Sequence, residues 1–184
     1  MSLGSPVPRW KPLQRARPPR RLRGWLAQRG SFTAALRRHC RGTVRAQVIR
    51  HRRTQPGPQE RRLLGLRTGE GVLLRETLLR CGTQAPWVYA QTLIPLKHLH
   101  SGLRSLLRRG ERPIGDLLFR PGHQLRRGVI TVARLEHCIL PHTTARPELW
   151  ARRSVLRQNG HRLLITEVLL PDLPQPRQPA WKGR

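Results

Sequence analysis

The sequence predicts a single α+β domain whose mainly antiparallel sheet has about six strands, with its helices grouped on one side. Segments of alternating apolar and polar residues recur along the chain, and turn residues join neighbouring segments into hairpins. Helical patterns are grouped between the hairpins instead of following every strand. A length of 184 residues suits one core and is short for two.

Residues 1–23 are rich in proline and arginine, with Pro18-Pro19 followed by Arg20-Arg21, and read as a disordered basic arm. This arm has no apolar stretch of the secretory-signal kind. The domain proper is expected over 24–172. Trp25, Leu26 and Leu36 predict a short helix within 24–41, interrupted near Gly30-Ser31. Residues 43–50 alternate as a first strand, with Val44, Ala46 and Val48 on one face. A polar, proline-containing connection over 52–59 leads to a short turn at 63–66. The strands 72–80 and 87–94, joined by a turn at 81–85, make one hairpin. Residues 99–107 and 114–119 are expected to be helical, with Gly110 as a stop between them. Residues 124–135 form another strand, with Leu125, Val129, Thr131 and Ala133 on its odd face, and 142–147 form a loop. The tail 173–184 is proline-rich and expected to be mobile.

The last hairpin, within 149–171, is the most informative segment. Asn159-Gly160 supplies the two positive-φ residues of a type I′ turn, which sets Gln158 opposite His161, Leu156 opposite Leu163, Ser154 opposite Ile165 and Arg152 opposite Glu167. One face of the second strand then reads Leu163, Ile165, Glu167, Leu169, so a carboxylate interrupts an aliphatic strip. On the strand 72–80 one face reads Leu73, Arg75, Thr77, Leu79, interrupted by a guanidinium. Each charge alone is also compatible with a structural ion pair or a sheet-edge arginine. Together they suggest a small polar site on an apolar sheet face that takes a compact anion. Arg75 would hold a carboxylate with its two-pronged fork, and Glu167 would meet a hydroxyl or a proton at the far end.

Cys40, Cys81 and Cys138 are far apart and odd in number, with no CxxC, so reduced thiols are expected and neither a disulfide framework nor a zinc knuckle. The eight histidines carry no ligand signature: His98 and His100 flank one residue and His137 precedes Cys138, and no metal is expected. The net charge of +28 would attract nucleic acid without sequence preference, and no acidic residue precedes Glu60. Yet only Lys11, Lys97 and Lys182 are lysines, which points to compositional bias towards arginine. Two Phe and one Tyr, with Trp10 and Trp181 near the ends, make poor stacking platforms, and specific nucleic-acid binding is not expected.

Six blocks also carry a family resemblance: GSFT at 30–33, VLLRE at 72–76, PWVYAQTLIP at 86–95, PIGDLLF at 113–119, LWARRS at 149–154 and LLITEVLLP at 163–171. In order and spacing, from about residue 25 to residue 174, they resemble chorismate pyruvate-lyase. The resemblance implies a lyase-like fold and an enzyme that removes pyruvate from chorismate to leave 4-hydroxybenzoate, the ring precursor of ubiquinone. It implies that Arg75 holds the ring carboxylate, Glu167 meets the ring hydroxyl, and Ile114 lines the pocket where the family often has leucine. Phe32 takes the place of a pocket methionine, a rigid ring for a flexible thioether. Arg152 and Arg153 match a paired-arginine motif; the hairpin register favours Arg152 for a second anionic contact and turns Arg153 outward. No cofactor, no membrane span, a cytoplasmic location and a monomer are expected. A sensor domain of the same fold that binds a small acid unchanged is the alternative, and a basic nucleic-acid-binding protein is a third reading that rests on charge alone.

Overall fold

The computed structural model describes residues 8–99, 113–114, 125–138, 140–141, 143, 146–158 and 160–176. Its strands are β1 (Lys11–Pro12), β2 (Val44–Thr54), β3 (Val72–Cys81), β4 (Val88–Pro95), β5 (Arg126–Arg127), β6 (Thr131–Cys138), β7 (Arg146–Gln158) and β8 (His161–Leu169). They form one sheet in the order β1-β6-β7-β8-β4-β3-β2, with β5 on β7. Every pairing is antiparallel. The helices are α1 (Arg20–Ala27), α2 (Phe32–Arg37) and α3 (Pro58–Leu64), and single 3-10 turns cover Leu13–Arg15 and Leu96–His98.

The final hairpin has the register its turn dictates: Gln158↔His161, Leu156↔Leu163, Ser154↔Ile165 and Arg152↔Glu167. Gly160 has the positive φ, 75°, that such a turn needs. The β3–β4 hairpin is likewise as expected, and the helix expected over 24–41 is divided at Gly30-Ser31 into α1 and α2. Ser31 caps α2 by accepting a hydrogen bond from the Ala34 amide at 3.2 Å. α3 replaces the expected turn at 63–66. Pro58 starts it, Glu60 accepts from the Gly57 amide at 2.8 Å, and Gly65 ends it with φ 67°.

Four further expectations change. Residues 8–23 do not form a free arm, because Lys11–Pro12 pair with Val132 and Thr131 on the edge of β6 and α1 begins at Arg20. The strand expected over 124–135 is two strands. Arg127 faces Leu156 in β5, whereas in β6 the even-numbered Val132 faces Arg152, so the parity of the inward face switches across 128–130. Val129, placed on the apolar face by simple alternation, is 79% exposed. Cys40 and Cys81 form a disulfide with a Cα–Cα distance of 5.5 Å. Their separation of 41 residues hides a proximity that the β2–β3 ladder creates by setting Val44 opposite Cys81. Of the tail, Leu173 is buried, and the Trp25 indole donates to the Pro174 carbonyl at 2.8 Å. The helices expected at 99–107 and 114–119 lie outside the described residues, except Leu99 and Ile114.

One face of the sheet is covered by α1 and α2, whose Trp25, Leu26, Phe32 and Leu36 pack on Leu79, Val88, Trp150 and Leu169. α3 covers part of the other, where Leu64 meets Leu74, Leu93, Val155 and Leu164. Among the described residues no helix is long and apolar enough to cross a membrane.

Candidate active site

The ladders place Arg75 and Glu167 on the face beneath α1 and α2. Across the sheet, one row runs Arg75, Thr92, Ile165, Ser154, and the next runs Thr77, Ala90, Glu167, Arg152, Val132. Arg75 and Glu167 therefore stand two strands and two residues apart, a Cα separation of roughly 12 Å from ideal sheet spacings. Both are buried, at 4% and 6% exposure. Burial pushes the Arg75 guanidinium down to about 10.

Phe32, Thr33, Pro113, Ile114, Arg127 and Glu167 line a cavity of about 30 Å³, floored by Thr77, Ala90, Thr92 and Ile165. Thus three of the residues singled out in the sequence, Phe32, Ile114 and Glu167, meet at one cavity. Arg75 shares a row with Thr92 and Ile165, which line that cavity, but is not itself among its lining residues. A much larger open groove, about 730 Å³, lies between residues 8–17 and β6; Arg9, Lys11, Arg15 and Arg17 line it, away from this constellation.

Arg152 does not face the cavity. Its Nε donates to Glu167 Oε2 at 2.5 Å, and Nη1 donates to the carbonyls of Trp25 and Gln28 at 3.1 and 2.5 Å. Nη2 is buried with no hydrogen-bond partner among the described residues, while the guanidinium carbon sits 4.5 Å from the centre of the Phe32 ring. The anion that Arg152 meets is thus Glu167 itself. Arg153 points to the opposite face, as the register requires, yet it is covered there by Trp10 at 4.2 Å, and desolvation lowers it to about 10.

Arg127, which lines the cavity, and its partner Ser154 were missed by sequence reasoning. Arg127 donates through Nη1 to Ser154 Oγ, through Nε to the Arg29 carbonyl at 3.0 Å and through Nη2 to the Gly30 carbonyl at 3.5 Å. Desolvation lowers its pKa, Glu167 opposes that shift, and Arg152 adds to it. Two arginines thus hold the segment between α1 and α2 by its carbonyls, and that segment leads directly into Phe32. The missed signal was a charged residue between Leu125 and Val129 on an apolar strip, the pattern that had picked out Arg75 and Glu167. Among the described residues no three His, Cys, Asp or Glu side chains gather as metal ligands.

A family model described as chorismate lyase matches residues 8–176, which extends the expected domain at both ends. A probable chorismate pyruvate-lyase of Azoarcus sp. is 39% identical over 171 residues, covering 85% of this chain and 89% of that protein. The chorismate pyruvate-lyase of Photorhabdus laumondii is 37% identical over 153 residues, with 82% and 81% covered. Among solved structures, the effector domain of PhnF from Mycobacterium smegmatis aligns with a TM-score of 0.59 at 18% identity, covering 78% of this chain and 90% of that one. The ligand-binding domain of a GntR-family regulator from Bordetella bronchiseptica aligns with a TM-score of 0.54 at 18% identity, covering 75% and 91%. These last two likenesses establish a shared fold alone, whereas the family match and the close relatives establish that the chain belongs to the chorismate lyase family.

Proposed function

We propose that this protein is a chorismate pyruvate-lyase that converts chorismate to 4-hydroxybenzoate and pyruvate without a cofactor, supplying the ring precursor of ubiquinone. The observation that carries the reading is the placement of Arg75 and Glu167 on one buried sheet face, two strands apart, in a chain of this family. Their spacing suits a flat ring acid held at both ends, with its carboxylate on Arg75 and its hydroxyl at Glu167.

Chorismate carries an enolpyruvyl ether next to a hydroxyl-bearing ring carbon. Loss of the hydrogen on that carbon, with cleavage of the bond between the ring and the ether oxygen, makes the ring aromatic. The enolate released takes up one proton at its methylene carbon and becomes pyruvate. Neither hydride transfer nor hydrolysis occurs, so the protein's task is to orient a dianion and stabilise charge on the departing oxygen. Arg152 occupies one oxygen of Glu167 and so fixes the direction of the other towards the ligand. Glu167 then takes the ring proton as a base, or orients the hydroxyl while the departing side chain takes it.

A cavity of about 30 Å³ holds no more than a water or two. A ring ligand therefore displaces the cover that Phe32 and Ile114 provide, and extends past Thr92 to reach Arg75. A cytoplasmic, monomeric enzyme without specific nucleic-acid partners completes the proposal.

The test is incubation of purified protein with chorismate and a chelator, following both products. Equal amounts of 4-hydroxybenzoate and pyruvate are expected, and Glu167→Gln is expected to lose turnover. Binding of 4-hydroxybenzoate without turnover by the wild type would favour a sensor domain instead.

A further inference from the structure

We infer that the outer edge of β6 is a docking site for an extended acidic segment of a partner protein, one in which carboxylate and small apolar side chains alternate. The site lies apart from the cavity at Glu167 and does not depend on the lyase reading.

The first observation is an open edge. β6 covers Thr131–Cys138, yet on its outer side β1 pairs with Thr131 and Val132 alone. On its inner side β7 pairs it from Thr131 to Cys138. Among the described residues, no strand therefore lies along the outer side of β6 beyond Val132, and such an edge is a template for another extended chain. The second observation is the space beside it. The groove of about 730 Å³ is lined by Val132, Ala133, Arg134, Leu135 and Glu136 in succession. Consecutive strand residues point to opposite faces, so a cleft lined by all five, a span of roughly 13 Å, runs along the edge and not over one face.

Charge decides what fills the groove. Arg9, Lys11, Arg15 and Arg17 stand across it from β6, all exposed, and Glu136 is the one carboxylate among the described lining residues. Glu136 is already paired with Arg134, which also meets Glu148 at 3.4 Å. The cations of residues 9–17 are thus left facing an open sheet edge. A second copy of this chain would bring an equally basic wall against them, so self-pairing is opposed by charge. A nucleic acid would answer the charge but has no amide ladder to add to β6, whereas an acidic polypeptide answers both. The two faces of β6 set the pattern. Ala133 and Leu135 belong to the apolar cluster with Leu149 and Ala151, while Arg134 and Glu136 are exposed on the alternate positions. A guest strand in register therefore meets apolar surface at every second residue and the charged face at the others.

Three probes test this at physiological salt: an eight-residue peptide of alternating Glu and Val, a peptide of the same composition with Glu and Val in pairs, and single-stranded DNA of equal charge. The alternating peptide is expected to bind at least tenfold more tightly than either of the others. It is also expected to slow amide hydrogen exchange within 133–136 at least tenfold. Arg9→Gln combined with Arg15→Gln and Arg17→Gln is expected to weaken that binding at least tenfold while keeping the wild-type Tm. If the triple variant does not fold, the peptide comparison and the exchange measurement on the wild type still decide. No binding of the alternating peptide, equal binding of the two peptides, or binding without protection of 133–136 overturns the proposal. So does unchanged affinity in the folded triple variant. Tighter binding of the DNA would overturn it in favour of a nucleic-acid groove.

Discussion

Arg152 and Glu167 face each other across β7 and β8 with Nε 2.5 Å from Oε2, and both side chains are buried. The pair is therefore a structural ion pair, and in the proposed reading it is part of the site as well. Arg152 holds the carboxylate that reaches the cavity, and through Trp25 and Gln28 it holds the segment that covers that cavity. Removing one partner leaves an uncompensated buried charge, which costs about 3–5 kcal/mol, whereas an apolar pair of similar volume is often neutral. Arg152→Ala is thus expected to lose about that much stability in urea unfolding. Arg152→Met with Glu167→Leu is expected to recover most of it and to remain inactive. A double variant no more stable than Arg152→Ala would show that the carbonyl bonds, not the pairing, carry the cost.

Arg75 is the second buried arginine of this face with its own test. Desolvation already depresses its pKa to about 10, so the folded protein bears a cost for keeping that charge buried. Arg75→Ala is expected to bind 4-hydroxybenzoate on the order of tenfold to a hundredfold more weakly, as a charged hydrogen bond of about 1.5–3 kcal/mol implies. Arg75→Lys is expected to restore little, because a point charge cannot grip both carboxylate oxygens. Calorimetric titration checks both, and unchanged affinity in Arg75→Ala would remove Arg75 from the site.

How far the sequence revealed the candidate site's geometry depended on how locally each contact is determined. The Arg152–Glu167 register follows from a turn next to it in sequence, and Arg75 from alternation within one strand, so both were legible. Arg127 was hidden because the alternation around it breaks at 128–130, where β5 leaves β7 and β6 starts with the other parity. Its carbonyl partners at Arg29 and Gly30 are nearly a hundred residues away and offer no side chain to recognise. The N-terminal strand β1 was likewise hidden, since Lys11–Pro12 pair only because β6 has an open edge.

The disulfide belongs to the same class of long-range consequence, and it has its own test. Cys40 lies just past α2, and Cys81 ends β3, so the bond ties the helix carrying Phe32 to the sheet. Chain-entropy arguments give roughly 4 kcal/mol for closing a loop of about forty residues. Cys40→Ser with Cys81→Ser is expected to lose a large part of that in urea unfolding. A reductant is expected to lower the Tm of the wild type and leave the double variant unchanged. Equal response of both proteins to reductant would show that the thiols are not joined in solution.

Acid should weaken the fold through His98. Its ring meets His161 edge-on at 4.7 Å, and Nδ1 accepts from the Arg162 amide at 3.4 Å. Desolvation lowers its pKa, and the nearby His161 and Lys97 charges add to that against a partly opposing Glu70. The folded protein therefore binds this proton less readily than the unfolded chain does. Above about pH 6.5, the ordinary histidine value, its neutral form carries no penalty. As pH falls below that value the unfolded state gains a proton that the folded state lacks, and stability drops until the folded pKa is reached. His51, lowered by desolvation and by Arg75, acts in the same direction. The Tm of the wild type is therefore expected to fall between pH 7 and pH 5.5. His98→Asn, which keeps an acceptor for the Arg162 amide but cannot titrate, is expected to show a smaller fall. An identical pH dependence in the two proteins would assign the acid sensitivity to other groups.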